Sequence, residues 1–345
     1  MDEPSHRSEA HHLSPPPPPL PRGLEASVLA GQLRRFALVG GILALSFVNP
    51  LWELIRMAAA SQLYSYILLV PFISLYLIWL KRGSLPAAAR PARVVAGVFL
   101  LAGLGTLCVY WLGLPNVGEF AKDDYLAVAM VAFLLLLYSV CCLFWGKDTL
   151  RAVAFPLAFL LFMIPIPKAA LLVIDAFLQK GSALAAAGFF SVAGTPYLQD
   201  GLVFQLPDIS LQIAPECSGI HSTVVLFITS LLASYLFLRT PWKRAVLTLF
   251  VIPLGLIRNG FRVFVIGELC VHIGPRMINS YIHHKGGPIF FVLSLIPLFL
   301  LLLWLRNSER RHLKNRLLTE LQGAAGPRPH PSPLPPDGRG CPKGG

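Results

Sequence analysis

The sequence predicts an all-α polytopic membrane protein with about eight transmembrane helices and one interfacial or re-entrant helix. Of its 345 residues, 55% are hydrophobic and only 13% are charged, whereas soluble domains carry roughly 25% charged residues. The mean hydropathy is +0.65. Apolar runs of about 20 residues recur along the chain, and this is the length that a helix needs to cross a bilayer.

Two polar segments flank the apolar region, and both are predicted to be disordered cytoplasmic tails. Residues 1–31 contain SPPPPPLPR, and consecutive prolines favour an extended, solvated chain over a helix. Residues 311–345 are basic and end in GPRPHPSPLPPDGRGCPKGG, which is rich in proline and glycine. Between the tails, we expect residues 32–310 to form one multi-span membrane domain.

Eight apolar runs in this domain are predicted to be transmembrane helices. We expect no cleavable signal peptide, because the first run comes late and further runs follow it. The runs are approximately 36–55, 62–80, 94–114, 125–145, 150–166, 219–238, 245–266 and 287–305.

Charges between the runs predict the orientation, with both termini in the cytoplasm. Lys and Arg gather in alternate loops, which the positive-inside rule places in the cytoplasm. The intervening loops are poor in Lys and Arg, and residues 194–216 contain none. We therefore interpret the net charge of +12 as a sign of membrane topology and not of nucleic-acid binding. The basic residues that set the orientation are Lys81, Arg82, Arg90, Arg93, Lys147, Arg151, Arg239, Lys243, Arg244, Arg306, Arg310, Arg311, Lys314 and Arg316.

A further apolar run, 168–193, interrupts the alternation and carries Lys168, Asp175, Gln179 and Lys180. The preceding run is predicted to end outside, and the following run is predicted to start outside. A single span would break this order, so we interpret the segment as an interfacial or re-entrant helix at the outer face. The next segment, GLVFQLPDISLQIAPE, alternates apolar and polar residues and predicts short extended structure outside the membrane.

Cys217 is the first candidate for chemistry, in the segment QIAPECSGIH at the predicted outer end of the 219–238 helix. A helix N-terminus has free N–H groups and partial positive charge, which favour the nucleophilic thiolate. Glu216 opposes this effect unless an arginine lies nearby, and Ser218 is a candidate N-cap. The segment alone fits a buried structural cysteine equally well.

Two arginines lie inside an otherwise apolar helix in the segment GLIRNGFRVFVIGELC. Arg258 and Arg262 are four residues apart and share a face, and Asn259 lies three residues before Arg262. Intramembrane arginine is costly and normally faces a partner or a wet cavity. Snorkelling to headgroups explains one arginine better than two. We expect the pair near the depth of the candidate cysteine, with Glu216, Glu268 or a lipid phosphate as the partner of Arg258.

His283 and His284 supply the third candidate group, in YIHHKGGPIFFVLSL before the last predicted helix. By the same alternation they lie on the outer side, where a histidine can act as general acid or base near neutral pH. A histidine bonded to backbone at the interface fits this segment as well. Together, however, a nucleophile, an acid or base and a cationic oxyanion stabiliser are the parts that acyl transfer through a thioester needs.

These segments resemble the exosortase/archaeosortase family of membrane cysteine transpeptidases. The resemblance rests on ECSGIHS, RNGFR and HHKGGPIFF, with support from YSYILLVPFISLYLIW and FPLAFLLFMIPIP, and covers about residues 55–305. It implies Cys217 as the nucleophile, Arg262 as the arginine of an Asn-x-x-Arg pattern, and His283 as the acid or base. The family often has an acidic residue where this chain has His284, so His284 is the alternative.

The resemblance implies a transpeptidase or protease that cuts the C-terminal sorting signals of exported proteins and passes the new end to an acceptor. Its partners would be exported proteins with a PEP-CTERM-type motif, a transmembrane helix and a basic tail, in addition to exopolysaccharide export machinery. Its location would be the bacterial inner membrane, with the active site at the outer face. The six cysteines show no CxxC or metal-ligand spacing, so we expect no metal and no cofactor.

Three other functions fit parts of the sequence. A transporter or channel would use the intramembrane arginines to bind an anionic substrate, although the chain shows no clear inverted repeat. A membrane acyltransferase would also form a cysteine thioester, but with a lipid as acyl donor. A non-catalytic assembly factor for polysaccharide export would leave the Cys, Arg and His residues without chemistry.

Overall fold

A computed structural model describes residues 22–84, 91–113, 122–207, 209–213, 218–274 and 287–324. Within these ranges the chain is helical apart from short connections and one small sheet. It comprises two compact units, Met1–Val173 and Ile174–Gly345.

The described part of the first unit contains six α-helices and three short 3₁₀ segments. Gly103 lets the helix Arg93–Gly113 approach the helix Lys122–Ala152 closely, because a Cβ added there would lie 2.9 Å from the Leu136 side chain. Ser139 Oγ donates a hydrogen bond to the Ala96 carbonyl at 2.8 Å across the same contact. The helices are α1 (Arg22–Ser46), α2 (Val48–Ala60), α3 (Val70–Lys81), α4 (Arg93–Gly113), α5 (Lys122–Ala152) and α6 (Ala154–Phe159), and the 3₁₀ segments are Ser65–Leu69, Arg82–Ser84 and Leu160–Met163.

The predicted straight span at 36–55 is instead two helices, α1 and α2, bent by 71° at Phe47. Pro50 explains the break, because it has no N–H to donate to the Ser46 carbonyl and its ring crowds that carbonyl. Helix α5 is also interrupted, at Gly146, whose φ of 69° and ψ of 174° are not helical. That break lies one residue beyond the predicted end of the 125–145 run.

The predicted spans 62–80 and 150–166 are shorter composite helices. In each, a 3₁₀ segment joins an α-helix, and the apolar helical stretches are Ser65–Lys81 and Ala154–Met163. The two are linked by a buried hydrogen bond from Ser74 Oγ to the Pro156 carbonyl at 3.0 Å. Both helical stretches are therefore shorter than the apolar runs predicted from the sequence.

Among the described residues, six helices are long and apolar enough to cross a membrane, or seven if α1 and α2 form one span. The prediction of an all-α polytopic membrane protein is thus confirmed, with fewer such helices than the predicted eight. They are Arg93–Leu112, Asp123–Ala152, Lys168–Ala193, Ile220–Phe237, Pro241–His272 and Gly287–Leu321.

The described part of the second unit combines long helices with a β-meander. Its helices are α7 (Lys168–Ala193, in this unit from residue 174), α8 (Ile220–Phe237), α9 (Pro241–Leu249), α10 (Val251–His272) and α11 (Gly287–Ala324). The short break between α9 and α10 at Phe250 has a local cause. Pro253 has no N–H for the Leu249 carbonyl.

The short extended structure predicted for residues 201–216 is confirmed by two of the three strands of the meander, whereas the first strand precedes that segment. The location of this extended structure outside the membrane stays a prediction. Strands β1 (Leu198–Asp200), β2 (Val203–Leu206) and β3 (Ile209–Gln212) pair antiparallel in that order. Its buried side chains alternate along β2 and β3, and they pack against α7 and α10 in one apolar cluster. That cluster contains Ala183, Ala186, Phe190, Phe204, Leu206, Leu211, Ile213, Val263, Ile266 and Cys270.

Two glycines of α10 allow α7 to lie directly against it. A Cβ at Gly260 would lie 2.5 Å from the Ala185 Cβ and 2.9 Å from the Ser182 carbonyl oxygen. A Cβ at Gly267 would lie 2.6 Å from the Phe190 ring. Helix α7 is unbroken and satisfies the length and composition of a span, so its interfacial or re-entrant placement stays a prediction.

We predict that Gly260→Ala destabilises the protein, because backbone atoms of α7 occupy the space that the new methyl group needs. Overpacking of this kind lowers the free energy of unfolding by about 1–3 kcal/mol. The matched control is Gly188→Ala in α7, where a Cβ meets nothing within 4 Å and the change should stabilise the helix by about 0.5–1 kcal/mol. Thermal unfolding of the detergent-solubilised variants measures both, and equal unfolding temperatures would contradict the close contact.

Candidate active site

The predicted site is described in part. Glu216, Cys217, His283 and His284 lie outside the described residues, whereas the remaining predicted residues, Ser218, Arg258, Asn259 and Arg262, lie within them. All the described members belong to the second unit. The structure therefore shows the frame that begins one residue after Cys217.

Helix α8 begins at a glycine in a left-handed conformation. Gly219 has φ 72° and ψ 18° and is the N-cap of the helix. This is one residue later than the N-cap predicted at Ser218. The buried Ser218 hydroxyl accepts a hydrogen bond from the Ile220 N–H at 3.4 Å instead. The positive φ favours glycine, because a Cβ is strained in that region.

The Gly219 carbonyl gathers several donors at the start of α8. It accepts the Thr223 N–H at 3.0 Å and the Thr223 and Ser222 hydroxyls at 2.9 and 3.0 Å. It also accepts the Arg258 Nη2 at 3.3 Å. A side chain of α10 is thereby tied to the residue two positions after Cys217.

Arg258 is buried, with only 7% of its surface exposed. Its Nη2 reaches both the Gly219 carbonyl and, at 3.2 Å, the Thr223 Oγ1. Its Nη1 is also buried and has no hydrogen-bond partner among the described residues. A buried guanidinium with an N–H group left over can donate to an anionic or carbonyl oxygen.

Glu268, one of the partners expected for Arg258, is engaged elsewhere. One of its carboxylate oxygens lies 3.0 Å from the His272 Nε2. The other accepts a hydrogen bond from the Thr195 hydroxyl. In the described structure, Arg258 is therefore held by a carbonyl and a hydroxyl and not by Glu268.

Asn259 connects α10 to two other helices. Its Nδ2 donates a hydrogen bond to the Ser182 Oγ of α7 at 3.0 Å, and both side chains are buried. Its Oδ1 lies beside Gly219, where an added Cβ would approach it to 2.9 Å. The glycine at the start of α8 is therefore required by the neighbouring asparagine as well as by its own φ.

Arg262 lies one helical turn after Arg258 on α10 and is half-buried. Residues four apart on a helix share a face. The two guanidinium groups thus concentrate positive charge on one face of α10, the face from which Arg258 reaches the N-terminus of α8. A helix N-terminus itself attracts anions.

Sequence reasoning missed three contributors to this site. Ser182 and Thr223 were read only as parts of apolar helices, yet they hold Asn259 and Arg258. His221, in the first turn of α8, is half-buried and close enough to Arg258 to interact with it electrostatically. Its position four residues after Cys217, one helical turn away in sequence, was the available signal.

The described residues offer donors for an anion and no metal centre. Within them, no group of three or more His, Cys, Asp or Glu side chains could hold a metal ion. The described cysteines, Cys108, Cys141, Cys142 and Cys270, are all free thiols. The arrangement can stabilise negative charge through Arg258 and the α8 N-terminus, and Cys217 adjoins that position in sequence.

Comparison with known proteins gives one match. Residues 52–300 match the model of a family described as transmembrane exosortase. This range includes the Cys217 segment, the Arg258–Arg262 segment and the histidine pair. Searches of curated proteins and of solved structures found no match.

We predict that Gly219→Ala destabilises the chain more than Gly201→Ala does. Both glycines have positive φ, 72° and 59°, so an added Cβ costs each about 1–2 kcal/mol. At Gly201 the Cβ meets nothing within 4 Å, whereas at Gly219 it meets Asn259 and Arg258. The contact should remove a further 1–3 kcal/mol, approximately, from the free energy of unfolding. Thermal unfolding compares the variants, and equal decreases in unfolding temperature would show that Asn259 does not crowd a side chain at position 219.

Proposed function

The chain belongs to the transmembrane exosortase family, and we propose that it is a cysteine transpeptidase for the C-terminal sorting signals of exported proteins. The observation that carries the proposal is the buried Arg258, tethered to the Gly219 carbonyl two residues after Cys217. A cation held at that place supports an anionic intermediate beside the cysteine. An acyltransferase would share the thioester, but family membership favours a peptide substrate.

Helix α8 supports the proposed orientation. Its 18 residues span about 27 Å at 1.5 Å per residue, close to the hydrocarbon thickness of a bilayer. The candidate site lies at its N-terminus, and Arg239, Lys243 and Arg244 follow its C-terminus. If that basic end faces the cytoplasm, as the positive-inside rule requires, then the site faces outside. The C-terminal tail is then cytoplasmic, because Pro241–His272 and Gly287–Leu321 each supply one further crossing after α8. We propose that the N-terminal tail is also cytoplasmic and that the membrane is the inner membrane of a bacterium, as the family resemblance implies.

In the first proposed step, the Cys217 thiolate attacks a backbone carbonyl carbon of the sorting signal. A C–S bond forms, and the carbonyl electron pair moves to oxygen to give a tetrahedral oxyanion. Arg262 stabilises the oxyanion, and the unpartnered Nη1 of Arg258 is a second donor in the same region. When the C–N bond breaks, His283, or His284 in its place, gives a proton to the departing amine.

The second step transfers the exported protein. The thioester carbonyl is attacked by an acceptor O–H or N–H group, which the same histidine deprotonates. The tetrahedral intermediate collapses, the C–S bond breaks and the Cys217 thiolate is restored. Water as acceptor would make the enzyme a protease, an amine acceptor would make it a transpeptidase, and a hydroxyl acceptor would give an ester instead of a new peptide bond.

The described contacts support a positioning role for Arg258 and Asn259 in the proposed scheme. Arg258 and Asn259 both bear on Gly219, and Asn259 is fixed in turn by Ser182. They fix the N-cap Gly219, which lies two residues after Cys217 in the sequence. Glu216 sits beside the thiol in sequence, and the two arginines would offset its negative charge.

We predict that Cys217→Ala abolishes processing of a co-expressed sorting-signal protein, because no other atom can form the thioester. Gel mobility and the mass of the substrate C-terminus measure the cut, and the mass distinguishes hydrolysis from transfer. The matched control is Cys108→Ala, which removes an exposed thiol from α4 and should process normally. Normal processing by Cys217→Ala would refute the mechanism.

We predict different outcomes for the two arginines when each is replaced by lysine. Arg262→Lys should reduce turnover roughly 100- to 1000-fold, because an ammonium does not reproduce the planar fork of donors. Arg258→Lys should reduce both turnover and unfolding temperature, since it removes the buried tether to Gly219 and Thr223. Turnover of Arg262→Lys at the wild-type rate would exclude Arg262 as the oxyanion donor.

A further inference from the structure

A large basic cavity lies at the other end of α8 from the candidate active site. It has a volume of about 770 Å³ and is formed by the end of α8, the start of α9 and the polar half of α11. Six cationic side chains line it: Arg239, Lys243, Arg244, Arg306, Arg310 and Arg316. The catalytic scheme uses none of them.

One carboxylate, Glu309, lines the cavity, and both of its oxygens accept hydrogen bonds from backbone N–H groups. Its Oε2 accepts the Arg239 N–H at 3.1 Å, and its Oε1 accepts the Thr240 N–H at 2.7 Å. It therefore fixes the turn between α8 and α9. Within the described part of the chain, none of the six cations forms an ion pair with a carboxylate. The cavity thus keeps a large excess of positive charge.

Three of the cations are held in place by neutral partners. Lys243 Nζ donates to the Leu305 carbonyl at 3.4 Å and to the Ser308 Oγ at 3.1 Å. Arg244 Nε donates to the Leu238 carbonyl at 2.8 Å while its guanidinium lies over the Tyr235 ring, 5.4 Å from the centroid. Arg306 lies over the Phe237 ring at 5.5 Å. These contacts orient the cations, and Glu309, which interacts electrostatically with Lys243, offsets only part of the positive charge.

The same cavity has an apolar side. Leu236, Phe237 and Leu313 line it and are each at least 40% exposed. Trp242 and Trp304 flank these elements and are 72% and 66% exposed, which is typical of side chains at the membrane–water interface. Since α8 spans about 27 Å, a cavity at its basic end lies at headgroup level when the candidate site lies at the opposite surface.

We propose that this cavity binds the phosphate of an anionic phospholipid from the cytoplasmic leaflet. Arginine and lysine side chains would hold the phosphate oxygens, and the acyl chains would run along the apolar side. Basic pockets between membrane helices bind anionic headgroups in this way. A free phosphate would satisfy the cations equally well but would leave the exposed leucines and Phe237 uncovered. The proposed catalytic reaction is not needed for this binding.

The test is a lipid titration of the purified full-length protein in neutral detergent, with bound lipid counted by native mass spectrometry. The ligands are phosphatidylglycerol, phosphatidylcholine and glycerol phosphate, which carries the phosphate without acyl chains. The test variant is Arg239→Gln with Arg310→Gln, two exposed cavity cations. The matched control is Arg311→Gln with Lys314→Gln, which removes the same charge from α11 outside the cavity.

We expect phosphatidylglycerol to bind the wild type and the control equally, and to bind the cavity variant roughly 30-fold more weakly, at about fivefold per cation. Phosphatidylcholine should bind weakly to all three. Unchanged phosphatidylglycerol affinity in the cavity variant, or an equal loss in the control, would overturn the site. Glycerol phosphate that competes as well as the lipid would overturn the lipid as the source of the phosphate. Unfolding temperatures of the variants check that each is folded.

Discussion

The packing at the start of α8 depends on one buried arginine, Arg258. Arg258 lies inside an apolar helix, where an unpartnered cation would be strongly destabilising, and its described partners are the Gly219 carbonyl and the Thr223 hydroxyl. The surroundings are shaped to admit it. Gly255 leaves room for Thr223, and Gly219 leaves room for both Arg258 and Asn259. The start of α8 at Gly219 is fixed because this cation has to be satisfied.

The support for that start extends into α7 and the meander. Asn259 donates a hydrogen bond to Ser182, and Gly260 lets α7 pack directly against α10. The apolar cluster that contains Phe190 and Phe204 packs against the next two turns of α10. A polar network in an apolar setting is rigid only when its members are satisfied. Within the described part of the chain, the Nη1 of Arg258 has no hydrogen-bond partner, and this N–H group can donate to a further oxygen.

The sequence predicted the class, the main helices and the arginine segment because these depend on local composition. Hydropathy reports transfer into lipid, so it found the apolar runs at 36–55 and 150–166 but not the bend at Phe47 or the 3₁₀ ending of the second. The role of Ser182 depends on a helix more than 70 residues away in sequence, which no local pattern encodes. The N-cap is Gly219, one residue after the predicted Ser218. The requirement for glycine there depends on Asn259 and Arg258, which are distant in sequence and leave no room for a side chain. Cys217, His283 and His284 lie outside the described residues and stay predictions.

We propose that the arginine-supported start of α8 favours the thiolate form of Cys217 and that this thiolate faces the outside of the membrane. The most direct measurement is the alkylation rate of a protein whose only cysteine is Cys217, in intact cells, with a membrane-impermeant maleimide from pH 5 to pH 9. We expect labelling from outside, with a midpoint below the ~8.5 of an ordinary thiol, and a midpoint moved upward by Arg258→Gln. Absence of labelling in folded protein, or a midpoint at or above that of a free thiol in both proteins, would contradict the account.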